Sequence, residues 1–322
     1  MYMLVSELRK IITKYNSDEK DKIIVELYKR IPKNIKEEYD IDKFITTLDN
    51  KKPKETKMLS IDELEKEINY FIDCANKGLY ECPNKIISKK ERSNWRFKVR
   101  NYYKLLNQFL PDTPEGNKAT ILLTKIFKVV SLGSCYLTFS NWETFRAIQV
   151  SQEEFIQNII RRKLEEGINK ENISYCVELL TVEYDPYGYY RAVLIAFENC
   201  MKSEEMKRIA ITLLKEQVIK YQNKALELKK SKKSDYRARE YIRYFIECIV
   251  DLYFYLGEVD NGINYFHKKF TETTKEVKEY ILLELIENFE LYDEWIKEYE
   301  KHIGKIDYRD SLKEKYNKLK NK

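Results

Sequence analysis

Glycine and proline are so scarce in this chain that its fold class follows largely from their absence. It holds eight Gly and six Pro in 322 residues, where average usage would supply roughly 39 of the two together. They provide the positive and fixed φ angles that tight turns need, so a chain this poor in them cannot form many hairpins. Lys, Glu, Leu, Ile and Tyr fill the space at helical spacing. The expectation is an all-α fold of about 14–16 helices, stacked as antiparallel pairs in the manner of an α-solenoid.

Helix starts are well marked. Ser/Thr-x-x-Glu, the capping box, satisfies two orphan backbone N–H groups at once. It occurs at Ser60/Glu63, Ser88/Glu91, Ser140/Glu143 and Ser151/Glu154, while Gly78, Gly167, Gly257 and Gly304 follow apolar-periodic runs as C-terminal stops. These signals predict helices over 34–48, 61–77, 89–110, 118–131, 141–149, 152–166, 203–229, 235–256, 259–270, 275–290 and 292–303, among others. The segment Ser131–Phe139 reads as a helix junction despite its strand-forming Cys135, Tyr136, Leu137, Thr138 and Phe139. A polar linker with Pro53 over 50–59 separates an N-terminal three-helix unit (1–49) from a central region (60–183). The break Tyr184-Asp185-Pro186-Tyr187-Gly188 opens a C-terminal region (184–322).

Internal repetition is clearest in that last region. A shift of 33 residues places Leu252 on Leu285, Leu256 on Phe289, Val259 on Tyr292, Ile263 on Ile296 and Phe266 on Tyr299. The unit is a helix, a short turn and a second helix. Over about 65 residues this layout resembles the tetratricopeptide repeat, most closely at Tyr253-x-x-Leu256-Gly257. The close-approach Ala positions and the closing Pro of that family are missing, so the resemblance implies repeat-like packing of helix pairs.

Several classes are disfavoured by composition. Six Cys (74, 82, 135, 176, 200, 248) contain no CxxC, and His267 and His302 are the sole histidines, which argues against a zinc site of ordinary spacing. Scattered Cys fit reduced thiols in a cytoplasmic protein. The longest uncharged run, Val129–Trp142, is short of the ~20 residues that span a bilayer, so no membrane partner is expected. No GxGxxG, GxxxxGK[ST], GxSxG or HExxH occurs. Each histidine reads as structural, the carboxylates Glu287, Glu290 and Glu294 as a solvated face rather than a metal site, and Cys82-Pro83 as a thiol with no His to activate it. No cofactor is expected, and the reading points away from an enzyme.

Charge distribution carries the functional pointer. The net charge is +6, but residues 85–104 hold eight Lys/Arg and one Glu, and residues 272–300 hold ten Asp/Glu and three Lys. On a helix over 89–110, Trp95, Val99, Tyr102, Leu106, Phe109 and Leu110 form a core stripe. Lys89, Arg92, Arg96, Arg100 and Lys104 form a ridge beside it, with Phe97 beyond on the polar side. Like charges at i, i+4 destabilise an isolated helix, whereas an anionic partner would engage them. Secondary basic patches lie at Arg161, Arg162 and Lys163 and at Lys229, Lys230, Lys232 and Lys233. The reading is a non-catalytic helical-repeat adaptor or regulatory scaffold, recognising an anionic protein or nucleic acid through the ridge. The alternative is a DNA- or RNA-binding protein using a basic helical cradle, in a nucleic-acid-processing or defence system. Self-association through the acidic 272–300 region is a further expectation. The Tyr184, Tyr187, Tyr189, Tyr190 cluster reads as packing between helical lobes.

Overall fold

The computed structural model describes residues 8, 11–42, 45, 59–82, 84, 86–136, 138–182, 190–271 and 274–321. The chain divides into two compact units, Met1–Leu59 and Ser60–Lys322. No strand forms among the described residues, which are mostly helical. None of their helices is long and apolar enough to cross a membrane.

In the first unit, α1 (Ser17–Arg30) is followed by α2 (Lys33–Glu38), and neither buries a side chain. A capping box starts α1: Asn16 Oδ1 accepts from Glu19 N–H and the Glu19 carboxylate accepts from Asn16 N–H, both at 2.9 Å. The helix expected over 34–48 is interrupted at Asp40, which adopts a left-handed φ of 47°; residues 41, 42 and 45 are helical again, and the others beyond 42 lie outside the described residues.

The second unit opens with α3 (Ile61–Asn76), α4 (Lys89–Ser93), α5 (Trp95–Leu106), α6 (Pro114–Cys135) and α7 (Thr144–Ile148). Helix α6 packs on α3, α5 and α7. It begins earlier than its apolar pattern suggests, because Thr113 caps it and Pro114 takes the first helical position. It also runs through Ser131 to Cys135, so the ambiguous segment is helix up to that point. Phe139 then folds back into an aromatic cluster, stacking on Trp95 with centroids 4.2 Å apart. Gly133 makes room for it, since a Cβ there would lie 2.4 Å from the Phe139 ring. The cap expected at Ser140/Glu143 does not form. Helix α7 starts at Thr144, whose hydroxyl donates to Val130 O at 3.0 Å and so ties α7 to α6.

The rest comprises α8 (Gln152–Glu165), α9 (Lys170–Leu179), α10 (Tyr190–Glu198), α11 (Glu204–Lys230), α12 (Tyr236–Tyr255), α13 (Val259–Lys269), α14 (Lys275–Asn288), α15 (Tyr292–Lys301) and α16 (Asp310–Lys320). From α8 to α12, and again from α14, each helix packs on the next or the next but one, α13 packs back on α12, and α8 also touches α6. Helix α12 is central, meeting α10, α11, α13 and α14. Helices α12 and α14 end, and α13 and α15 begin, the same 33 residues apart. The turns correspond as well: Gly257 has φ 72° and Glu290 has φ 57°. In both, the next residue's N–H reaches back to a carbonyl in the helix's last turn (Glu258 N to Tyr253 O, 2.9 Å; Leu291 N to Ile286 O, 3.3 Å).

Helix α12 also buries charge. Asp251 is fully buried and ion-paired with Arg191 of α10, beside the buried Glu198. Glu247, one turn earlier, sits 3.4 Å from Arg243. Burial raises the carboxyl pKa of all three acids, against the pull of Arg191, and pushes Glu247 to about 7.

Two outcomes are expected. Glu290→Gly relieves a left-handed non-glycine turn and raises unfolding stability by about 0.5–1 kcal/mol in denaturant titration. Folded Glu247 holds its proton to about pH 7, whereas the unfolded chain releases it near the ordinary 4.5. Its contribution is therefore complete at low pH and lost as pH rises through about 7. Glu247→Gln gains little in melting temperature over wild type at about pH 5 and about 2–4 °C at about pH 8.

Candidate anion-binding face

The basic ridge spans α4 and α5. The Ser88/Glu91 capping box forms and starts α4, and hydrogen bonds from Ser88 hold the Glu91 carboxyl below its usual range. The helix expected over 89–110 is broken at Asn94 and ends at Leu106. Trp95, Val99, Tyr102 and Leu106 are buried, as the core stripe requires, whereas Phe109 is half-buried and Leu110 exposed.

The ridge residues divide into two kinds. Arg92 Nη1 donates to Ile87 O at 3.1 Å and to Asn84 O, clasping the turn before α4. Arg100 donates from Nε to Ile148 O at 3.1 Å and from Nη2 to Ala147 O at 2.6 Å. It thereby caps the carbonyl end of α7, where a cation is favoured. These two guanidinium groups hold the fold while keeping their charge. Lys89 and Lys104 are exposed. Among the described residues none of the five makes an ion pair with a carboxylate. Phe97 is 52% exposed. The guanidinium carbons of Arg96 and Arg100 lie 4.9 and 5.4 Å from its ring centroid, within cation–π range. Arg96 Nε is buried and has no hydrogen-bond partner among the described residues.

The secondary patches fare differently. Arg162 is buried, donating to Thr120 Oγ1 (3.2 Å), Phe109 O (3.0 Å) and Gly116 O (3.1 Å). Burial lowers its pKa, and it offers nothing to a partner. Lys163 is ion-paired with Glu166 and largely covered. Arg161 alone of this trio is exposed, at the mouth of a cleft of about 410 Å³ that reaches Cys200 and Met206. Lys229 and Lys230 end α11, Lys232 takes a left-handed φ of 54° and Lys233 follows; all four are exposed.

The acidic 272–300 stretch is met by the C-terminal end rather than by the ridge. Glu276 pairs with Arg309 at 2.6 Å, Glu287 with Lys315, and Glu300 with Lys320 at 2.7 Å. Of the tyrosine cluster only Tyr190 lies among the described residues. It is buried, stacks on Tyr244 with centroids 3.8 Å apart and donates to Leu180 O at 2.7 Å. Burial raises the thiol pKa of Cys176, Cys200 and Cys248, which disfavours thiolate chemistry there. One convergence escapes residue-by-residue reading: His267 and His302 meet at a single point with Glu279 and Glu298. The legible trace was the Glu298/His302 pair at i, i+4, which shares a helix face.

No protein-family model, curated protein or solved structure matches this chain.

The contrast between adjacent arginines is measurable. Arg162→Ala removes three hydrogen bonds, takes from Phe109 O its side-chain donor and leaves an arginine-sized void in the interior, at a cost of about 3 kcal/mol of unfolding stability. Arg161→Ala changes it by less than about 0.5 kcal/mol.

Proposed function

We propose that this chain is a non-catalytic helical-repeat binding protein, an adaptor or regulatory scaffold, that engages an anionic macromolecule through the α4–α5 face. The observation that carries the reading is a ridge of Lys89, Arg92, Arg96, Arg100 and Lys104 with no carboxylate partner among the described residues. Stacked helix pairs suit such recognition, since they build long surfaces from local contacts. Matching helix ends and left-handed turns in α12–α13 and α14–α15 support repeat packing at the C-terminal end. Six unpaired cysteines suit a reducing compartment such as the cytoplasm.

Phe97 favours a nucleic-acid partner as the second reading. An exposed ring flanked by two guanidinium groups offers a stacking platform beside phosphate contacts. Because Arg92 and Arg100 also hold the fold, the informative variants are on the free side chains. In fluorescence anisotropy at about 50 mM salt, wild type binds a single-stranded oligonucleotide or an acidic polypeptide. Lys89→Glu with Lys104→Glu weakens either and, for single strands, flattens the log–log salt slope by about 1.4. Phe97→Ala weakens oligonucleotide binding alone, by about 1–3 kcal/mol. Wild type that ignores both polyanions ends both readings.

A further inference from the structure

We propose that His267, Glu279, Glu298 and His302 form a binding site for one divalent transition-metal ion. Four donors from three elements converge there: His267 in the last turn of α13, Glu279 early in α14, Glu298 near the end of α15, and His302 as its C-cap. One ligand atom from each lies within 4.8 Å of all the others. Glu298 Oε1 is 2.6 Å from His267 Nε2 and 3.8 Å from His302 Nε2. Glu279 Oε1 is 3.7 Å from His267 Nδ1 and 3.8 Å from His302 Nε2. Around a zinc-sized ion with bonds of ~2.0 Å, tetrahedral donors stand roughly 3.3 Å apart. Shifts of a few tenths of an ångström to about 1 Å, within rotamer freedom, gather one nitrogen of each imidazole and one oxygen of each carboxylate on one ion.

Burial strengthens the case. Glu279 is 4% exposed and Glu298 1%, so two carboxylates leave water beside each other, an arrangement that calls for a cation. Lys301 Nζ holds Glu298 Oε2 at 2.5 Å, leaving Oε1 turned to the histidines. Glu279 Oε2 is buried and has no hydrogen-bond partner among the described residues, so this carboxylate is only half satisfied by protein. The site rests on fixed elements, because Lys278 of α14 donates to His267 O at 2.8 Å and Phe266 stacks on Phe270. Both imidazoles keep about 30% of their side-chain surface open to solvent (31% and 29%), which gives an ion a way in. Two imidazoles and two carboxylates select a borderline ion such as Zn²⁺, Co²⁺ or Fe²⁺ over Mg²⁺ or Ca²⁺, which prefer all-oxygen shells. A bound ion pins α13, α14 and α15 together and stabilises the folded state by mass action.

The chain's two histidines make the test direct. Full-length protein is stripped with chelator, kept reduced, labelled with ¹⁵N in its imidazoles and titrated with Zn²⁺. The expected result is that both ring systems shift together and saturate at one ion per chain, with a rise in melting temperature, while equal Mg²⁺ moves neither. Glu279→Gln and His302→Gln each lower Zn²⁺ affinity at least about tenfold. His302 sits at the solvent edge, so its variant tests the site if Glu279→Gln does not fold, and the wild-type spectra need no variant. Either histidine remaining unshifted, as when Zn²⁺ goes to cysteines instead, overturns the proposal. So does unchanged affinity in both folded variants.

Discussion

Asp251 lies without solvent contact little more than one turn from the end of α12, and the heart of the second unit is arranged around compensating it. Arg191 reaches it from α10, across a segment of chain that includes the whole of α11. A buried charge left alone is strongly unfavourable, whereas a buried pair roughly breaks even against apolar packing. The pair therefore adds little to stability but fixes how α10 and α12 must face one another. Glu198 and Glu247 beside it sharpen that requirement, because three buried acids share the guanidinium groups of Arg191 and Arg243 and burial favours their protonated forms. Helices α11, α13 and α14 then close over α12 by apolar contact, with Phe245, Ile246, Ile249 and Leu252 fully buried.

The same economy governs the basic face. Arg92 and Arg100 bind main-chain carbonyls, which are dipoles rather than full charges, so their donors are satisfied while their field persists. A lysine in place of Arg100 could not span Ile148 O and Ala147 O from two donors in a fixed plane. Structure and surface potential are thus built from the same side chains, and the exposed Lys89, Lys104 and Phe97 sit on a rigid frame.

Much of this was legible in the sequence. Ser60/Glu63 and Ser88/Glu91 mark helix starts because their chemistry is local, and Ile61–Asn76, Gln152–Glu165 and Tyr236–Tyr255 fall close to the boundaries their periodicity implies. Failures came where tertiary contact overrode local pattern. Thr144 rather than Ser140 leads α7, because its hydroxyl answers to Val130 O fourteen residues away. Glu290 makes the turn that glycine usually signals, and Asp40 breaks a helix with no glycine at all. Arg162 looks like its neighbours in a run of three basic residues, yet a single helix places adjacent side chains on different faces. The His/Glu convergence was marked only by the Glu298/His302 spacing, since Glu279 lies among ten acids in that stretch and nothing local shows that it turns inward.

Helix α16 has a consequence that reaches beyond its own packing. With the loop before it, it sets Arg309, Lys315 and Lys320 over Glu276, Glu287 and Glu300, and Tyr316 stacks on Tyr299 with centroids 4.7 Å apart. The terminal segment is a cationic lid on an otherwise acidic flank. Its grip is partly ionic and lies at the surface, so it loosens as salt rises. Proteolytic clipping after Gly304 would uncover three glutamates at once, turning a nearly balanced end of the molecule into a strongly negative one.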